Sequence, residues 1–400
     1  MIVLVLILCI IAVFYYSYAI YASIAFFARP QVINPAFYPP ISILKPICGL
    51  DSDSYTNLAS FCQQNYPTYQ IIFGVRSAAD PAIPTLHQII RDFPRIDICL
   101  VVDERTIGTN LKVSNLANIE PYALYDLLLI SDSDIKVGPD YLRRIVQPMQ
   151  HLKTGVVTCL YRSRVQNPIA ALEALSISTD FHANVLVARQ LGWLKFAMGS
   201  SILIRQTVLQ KMGGLKAICD YLADDFMMGN LAAKTGYKVV LSDYVVEHTL
   251  DTDNWVDLVQ HQTRWNRCTR AASFSGYLGL FLGHGIPLSL LFVLLNHGSS
   301  FSWSILAFTW LARLLMGWVI GVKSLQDTVA KKLFWLIPLR DLLSFGLWSY
   351  GLIGDRISWR GKTFRIGKEG KLIALDAVPQ SEPKDYPQER AKVALGHRQG

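Results

Sequence analysis

Four stretches of this chain are long and apolar enough to form bilayer-spanning helices: residues 2–27, 276–297, 301–322 and 333–354. A span needs about 20 apolar residues, because the hydrocarbon core is about 30 Å thick and a helix rises about 1.5 Å per residue. The stretch between residues 30 and 270 has ordinary soluble composition. The apolar content of 52% and charged content of 17% therefore sum two regimes, a soluble domain held between hydrophobic ends. The first segment, Ile2–Phe27, reads as an anchor rather than a cleaved signal peptide: its apolar run exceeds a signal core and no basic residues precede it.

The charge pattern orients the chain. The loop after the third segment, KSLQDTVAKK, carries three lysines and one aspartate, which places it in the cytoplasm. Four complete spans would put the basic stretch Asp355–Lys371, with six basic and two acidic residues, opposite the soluble domain. The fourth segment contains Pro338, Arg340, Asp341 and Gly346, costly in a lipid-exposed helix, so it is expected to be re-entrant or interfacial. The second, interrupted by Gly283-His284-Gly285 and Pro287, is the rival for that role. The basic stretch then reads as a solvated tail or as a juxtamembrane patch drawn to anionic headgroups on the cytoplasmic leaflet. The net charge of +8 does not imply nucleic acid, because the basic residues form no stripe interleaved with aromatics. Beyond about residue 373 the Pro-, Gln-, Glu- and Lys-rich composition predicts disorder.

Seven cysteines (Cys9, Cys48, Cys62, Cys99, Cys159, Cys219 and Cys268) show no CxxC spacing, which fits a reducing compartment and argues against zinc or a disulfide framework. Between the hydrophobic ends, ISILKPI (41–47), QIIFGVR (70–76), IDICLVV (96–102) and LLLISDSD (127–134) are short, β-branched and almost continuously apolar. Such runs belong to strands buried on both faces, and the helix-length stretches between them predict a doubly wound α/β domain. The helices SYTNLASFCQQNY and PAIPTLHQIIRDF are expected to start after Asp51-Ser-Asp and at Pro81. Further on, GVVTCLY (155–161), SSILIR (200–205) and KVVLSDYVVEH read as strands; residues 168–190 and 222–236 read as helical, the latter closing at Gly236.

In such sheets ligands bind beyond the carboxyl ends of the strands. Asp132 and Asp134 close LLLISDSD, and Asp80 follows QIIFGVR. Two carboxylates at a strand end suit Mg²⁺ or Mn²⁺, hard cations that share ligation with waters and phosphate oxygens. The bland alternative is a pair of turn-capping acids. Asp224-Asp225 opens a helix, where acids are favoured by the helix dipole anyway; as a functional pair, mutual repulsion would raise one toward a general base's range. Gln260-His-Gln262-Thr-Arg264-Trp265-Asn-Arg267 precedes the second apolar segment. It reads either as an interfacial girdle or as Arg264 for a diphosphate and Trp265 for an acceptor mouth. Gly108-Thr-Asn110-Leu-Lys112 is an ordinary strand-to-helix loop, or one whose Lys112 reaches phosphate. His182, His248 and His261 have no metal-ligand spacing and read as structural.

In combination these motifs resemble the ceramide glucosyltransferase family, glycosyltransferase family 21, within the family 2-like group. The resemblance runs from about Ile41 to Arg270 and returns at Ile357-Ser-Trp-Arg360. It is carried by LKPICGLD (44–51), Asp80-Pro-Ala, Gly108-x-Asn110-x-Lys112-x-x-Asn115-Leu, Asp132-Ser-Asp134, Asp224-Asp225 and Arg264-Trp265. It implies a GT-A-type nucleotide-sugar-binding domain (38–270) on the cytosolic face, an N-terminal anchor (1–28) and C-terminal membrane segments (274–355). A basic juxtamembrane segment (356–372) and a tail (373–400) follow.

The activity implied is an inverting, metal-dependent transfer of a single sugar, glucose or N-acetylglucosamine, from a UDP-sugar to a lipid hydroxyl. The resemblance places Asp80 at the uridine, Asp132 at the metal, Asp225 as base beside Asp224, and Arg264-Trp265 as the closing motif with Gln262. Two positions depart from the family pattern: Ala79 stands where an acid usually precedes the first aspartate, and His261 stands where Gln or Arg is usual. FCQQNYP, IIFGVR, KVSNLAN, DSDIKVGPDYL and GVVTCLYR are most similar to a bacterial branch associated with hopanoid biosynthesis, which implies the inner membrane and a ceramide- or hopanoid-type acceptor. A processive polysaccharide synthase shares the α/β domain and the closing RW, and a membrane-tethered nucleotide-sugar binder is the non-enzymatic alternative.

Overall fold

Near-continuous apolarity in the first four strand runs produces strands buried on both faces. In the computed structural model, which describes residues 1–359 and 362–375, they are β1 (Ile41–Pro46), β2 (Tyr69–Val75), β3 (Asp97–Val102) and β4 (Leu127–Ile130). β1 pairs in parallel with β2 and with β4, and β2 with β3. The chain thus winds outward from β1 in one direction and returns to its other side at β4, which creates a switch point between the carboxyl ends of β1 and β4.

Beyond β4 the sheet becomes antiparallel. β5 (Ile135–Lys136), β6 (Thr154–Arg164), β7 (Ile202–Arg205) and β8 (Lys238–Thr249) complete eight strands in the order β3-β2-β1-β4-β7-β6-β8-β5. β4 pairs antiparallel with β7, and β5 with β8. The expected doubly wound pattern therefore describes the first half, and the second half closes as antiparallel pairs of strands that lie far apart in the chain. The first early helix begins at Ser54, directly after Asp51-Ser-Asp as expected, and the second at Ile83, shortly after Pro81.

The described chain divides into two compact units. The sheet unit comprises Gln31–Leu160 and Lys195–Thr249; the helical unit comprises Met1–Pro30, Tyr161–Leu194 and the described residues from Leu250 onward. In the helical unit, Ile2–Phe27 buries a stripe of Val5, Cys9, Ala12, Tyr16, Ala19 and Ala22 at helical spacing and leaves Val3, Leu4, Phe14 and Tyr21 exposed. Among the described residues, two helices are long and apolar enough to cross a membrane, Ile2–Phe27 and Ser300–Ser324. A third candidate is the pair Phe274–Gly283 and Gly285–Leu295, bent by 60° at a break. The break falls in the second segment, at the Gly-His-Gly run, where Tyr16 Oη donates to the Gly283 carbonyl and accepts from Gly285 N–H at 2.9 Å each. Orphaned backbone groups are thereby satisfied inside the bundle.

The fourth segment forms a helix of only 15 residues, Ile337–Gly351, after two short turns. Its ions are buried and partnered: Arg313 clamps Asp341 through Nε and Nη2 at 2.9 Å each, and Arg340 reaches Leu172 O at 3.0 Å and Gln262 Oε1 at 3.1 Å. The basic stretch is folded rather than a plain solvated tail. Arg356–Trp359, Lys362–Ile366 and Leu372–Ala374 make a three-stranded antiparallel sheet. Arg360 and the tail from residue 376 lie outside the described residues.

Candidate active site

At the switch point, Lys45 at the end of β1 is buried and donates from Nζ to the Asp132 carbonyl at 2.5 Å and to Ser131 Oγ at 3.3 Å. Burial pushes this ammonium down to about 7 against the opposing pull of Asp134, Asp132 and Asp51. Lys45 thus ties β1 to the aspartate loop after β4. Ser133 Oγ donates to Asp51 Oδ2 at 2.5 Å, so LKPICGLD and the Asp132-Ser-Asp134 loop brace each other.

Gly108-Thr-Asn110-Leu-Lys112 enters the same place. A Cβ on Gly108 would stand 2.5 Å from Cys219 Sγ, so this crossing requires glycine. Asn110 caps the helix Leu111–Ile119, accepting from Lys112 N–H and Val113 N–H, and its Nδ2 donates to Asp224 Oδ1 at 3.3 Å. That cap aims Lys112: its Nζ lies 2.5 Å from Asp132 Oδ1 and 3.5 Å from Asp224 Oδ2. Despite burial, the charges of Asp132, Asp224 and Asp225 raise the Lys112 ammonium well above its ordinary range, so it stays a cation.

Asp224 and Asp225 form the first turn of the helix Asp224–Lys234. Gly229 in that helix lies against the backbone of Phe196 and Ala197, where a Cβ would stand 2.5 Å from Ala197 N. The contact carries Gly199 to the carboxylates. Gly199 N–H donates to Asp225 Oδ2 at 2.9 Å, and Phe226 N–H to Asp225 Oδ1 at 2.7 Å. A Cβ on Gly199 would sit 2.9 Å from Asp132 Oδ2, 3.3 Å from Lys112 Nζ and 3.5 Å from Asp225 Oδ2, so these groups line one small space. Burial and repulsion from Asp224 push Asp225 up to about 6, against Lys112 and the two N–H donors. Asp132 is raised by burial, with Lys112 opposing.

Asp134 differs from Asp132. Its Oδ2 is 3.3 Å from His248 Nε2, and its Oδ1 is buried with no hydrogen-bond partner. Burial opposes its ionisation, yet His248 and Lys45 hold it below the ordinary carboxylate range. Among the described residues no group of three or more His, Cys, Asp or Glu side chains gathers as a metal-binding set. The donors that fit a hard divalent cation are the Asp132 carboxylate and the orphaned Asp134 oxygen, a set that would leave positions for water and phosphate oxygens.

Asp80 serves the loop instead of this space: Gly49 N–H donates to both its oxygens at 3.2 and 3.1 Å, and Ala82 N–H to Oδ1 at 2.9 Å. Gln262, Arg264 and Trp265 lie in the helical unit, on the helix Trp255–Ala272 capped by Asn254. There the fully buried Glu173 accepts from Thr252 Oγ1 at 2.6 Å, Gln262 Nε2 at 2.8 Å and His261 Nδ1 at 2.7 Å. Burial alone would raise Glu173, but His261 and these donors bring it down to about 2. His261 stacks beside Trp265 with ring centroids 4.4 Å apart, and the Arg264 guanidinium lies 5.8 Å from the Trp359 ring centroid. Glu173, Lys45 and Gly199 carried no role in the sequence reading. Glu173 shows there only as an acid inside the apolar run PIAALEALS.

A parallel-rich sheet with a carboxylate-lined crevice at its switch point, joined to apolar helices, defines a glycosyltransferase of the GT-A type. A mannosyltransferase from Pyrobaculum calidifontis, solved with GDP-Man and Mn²⁺, shares this fold at a TM-score of 0.50 and 16% identity, covering 86% of this chain and 99% of that one. The sequence pattern of glycosyl transferase family 21 matches residues 4–372, and the chain belongs to that family. Its relatives include ceramide glucosyltransferase 3 of Caenorhabditis elegans, 26% identical over 86% of this chain and 76% of that protein. Ceramide glucosyltransferase 1 of the same organism is 31% identical over 52% of this chain, and the match spans 44% of that relative's length.

Proposed function

We propose that this family 21 glycosyltransferase moves one sugar, glucose or N-acetylglucosamine, from a UDP-sugar to a hydroxyl of a membrane lipid of ceramide or hopanoid type, on the cytosolic face of a bacterial inner membrane. The observation that carries the reading is the convergence of Asp225, Lys112 and Asp132 on the space beside Gly199. Asp225, held by two backbone N–H groups and raised to about 6, is the general base. It takes the acceptor hydroxyl proton as the oxygen bonds to the anomeric carbon and the bond to the diphosphate breaks, which inverts that carbon. Asp224 stays paired to Lys112 and Asn110, and so fixes the helix turn that presents the base.

Asp132 and Asp134 would hold Mg²⁺ or Mn²⁺, whose chemistry is neutralisation of the charge growing on the departing diphosphate. Lys112 supplies a fixed cation beside Asp132 for the same charge. Asp80 orders the Gly49 loop for the uridine, and Arg264 with Trp265 keeps the diphosphate and acceptor roles implied by the family. The test is full-length protein in membranes, given a panel of UDP-sugars with short-chain ceramide or a polyol hopanoid, with products identified by mass spectrometry. A monoglycosylated lipid is expected. A polymer would favour the processive synthase, and release of free sugar alone would refute lipid transfer.

A further inference from the structure

The helix Ile337–Gly351 is turned inside out relative to a helix that faces water. Its ions point into the bundle, where Arg313 clamps Asp341 and Arg340 reaches Gln262. Its opposite side is an exposed stripe of Leu339, Leu342, Gly346 and Tyr350. Trp335 extends the stripe before the helix and Ile353 beyond it, all at spacings of three and four residues that share one helical face. Fifteen residues rise about 22 Å, short of the roughly 30 Å of a hydrocarbon core. A short helix with an apolar outer face and an aromatic residue near each end suits the boundary between acyl chains and headgroups.

The three-stranded sheet that follows has two unlike faces. Ile357, Phe364, Ile366 and Leu372 are buried, whereas Arg356, Ser358, Thr363, Arg365 and Ile373 alternate with them and are exposed. The register sets Arg356 directly across from Arg365 and Ser358 across from Thr363, with Ile373 on the far side of Arg365. Like charges placed directly opposite destabilise an antiparallel ladder unless something neutralises them. Asp355 comes only within 3.9 Å of Arg365 Nε, both side chains being half exposed, and among the described residues no carboxylate pairs with Arg356. Two guanidinium groups flanked by two hydroxyls form a face that an anionic oxygen group completes.

The turn between helix and sheet is held firmly. Arg267, on the helix Trp255–Ala272, donates to the Ile353 carbonyl at 2.8 Å and to the Arg356 carbonyl. Arg270 donates to the Gly354 carbonyl at 2.6 Å and to that of Leu352. One guanidinium thus keeps the last residue of the apolar stripe beside the first arginine of the sheet.

From this juxtaposition we propose that the outer face of the C-terminal sheet docks on the headgroups of an anionic phospholipid leaflet, Arg356 and Arg365 sharing lipid phosphate. The stripe from Trp335 to Ile353 then lies against acyl chains, and Ile373 rests among the headgroups. Charge complementarity selects this occupant: residues 355–371 carry six basic and two acidic side chains, each basic group gaining from a negative surface. A zwitterionic headgroup brings its own cation and leaves the arginine pair uncompensated. A soluble phosphate would satisfy the arginines but leave the apolar stripe in water. The proposal concerns the helical unit alone and holds whichever sugar and acceptor the enzyme uses.

The test is native mass spectrometry of full-length protein in neutral detergent, titrated with phosphatidylglycerol or phosphatidylcholine so that each bound lipid is resolved. Phosphatidylglycerol should bind about 10-fold or more tightly than phosphatidylcholine, and the preference should shrink as ammonium acetate is raised. Arg356→Gln and Arg365→Gln should each weaken phosphatidylglycerol by about 5-fold, the factor for one basic group at an anionic surface. Arg91→Gln with Arg95→Gln removes as much charge from the sheet unit and should change it by less than about 2-fold. Equal affinity for the two lipids, arginine variants that bind as wild type does, or an equal loss in the Arg91 and Arg95 control overturns the proposal. So does displacement of the lipid by millimolar glycerol phosphate, which would mark a site for soluble anions. If the arginine variants fail to accumulate, Ser358→Glu decides, since it keeps both arginines and adds an exposed carboxylate to the same face: unchanged phosphatidylglycerol binding overturns the proposal, and a loss of about 5-fold or more supports it.

Discussion

Replacing Glu173 by glutamine should cost the helical unit about 3 kcal/mol at neutral pH, and the cost should shrink as the solution is acidified. The carboxylate is fully buried and accepts from Thr252, Gln262 and His261 together. Its pKa falls from an ordinary 4.5 to about 2 in the folded state. At about 1.4 kcal/mol per tenfold change in proton affinity, that depression contributes about 3 kcal/mol. Because the folded value is the lower one, the contribution is complete above about pH 5 and is lost as pH falls toward 2, with roughly half gone by pH 3. Glutamine keeps the shape, but its amide NH₂ faces a donor where an oxygen accepted, so the deficit at pH 7 includes an unsatisfied group. The assay is SDS-titrated unfolding of full-length protein in mixed micelles between pH 7 and pH 3, wild type against Glu173→Gln. A gap that stays constant over this range, or grows toward acid, refutes the assignment of stability to the ionised carboxylate. Since Gln262, His261 and Trp265 share the helix Trp255–Ala272, the same variant should also weaken sugar transfer more than its loss of folded protein explains.

Asp225→Asn should lower kcat by about 10²- to 10⁴-fold while the protein still accumulates in membranes; because the base works deprotonated, the wild-type rate should fall on the acid side of about pH 6. Gly199→Ala places a methyl 2.9 Å from Asp132 Oδ2 and 3.3 Å from Lys112 Nζ, and should abolish transfer with little change in unfolding; full activity would refute the position of the reacting space. Removing Asp341 alone leaves the buried Arg313 guanidinium unpaired and should cost about 3–5 kcal/mol in the same SDS titration, whereas Arg313→Met with Asp341→Leu should recover most of it.

Local signals in the chain reached a long way into the fold. The β-branched runs between Ile41 and Asp134 became strands because short, continuously apolar, β-branched runs fit a sheet covered on both faces, and Asp132 fell at a strand end because LLLI ends there. The Gly-His-Gly run announced the break in the second apolar segment, since two glycines so close to Pro287 weaken the helical ladder at one place. The motif residues Asp132, Asp224, Asp225 and Lys112 were nameable from order and spacing, yet their distances were not. That Lys112 bridges Asp132 and Asp224, and that Gly199 is the floor they share, depends on Asn110, which caps the Lys112 helix and meets Asp224 114 residues on, and on a Gly229 contact with Phe196 and Ala197. Likewise, nothing in PIAALEALS distinguishes Glu173 from a surface acid, and nothing in ISTDF announces a π-helical turn. Periodicity and punctuation are properties of neighbouring residues and can be read in line, whereas burial, pairing and pKa arise only when distant segments meet and exclude water.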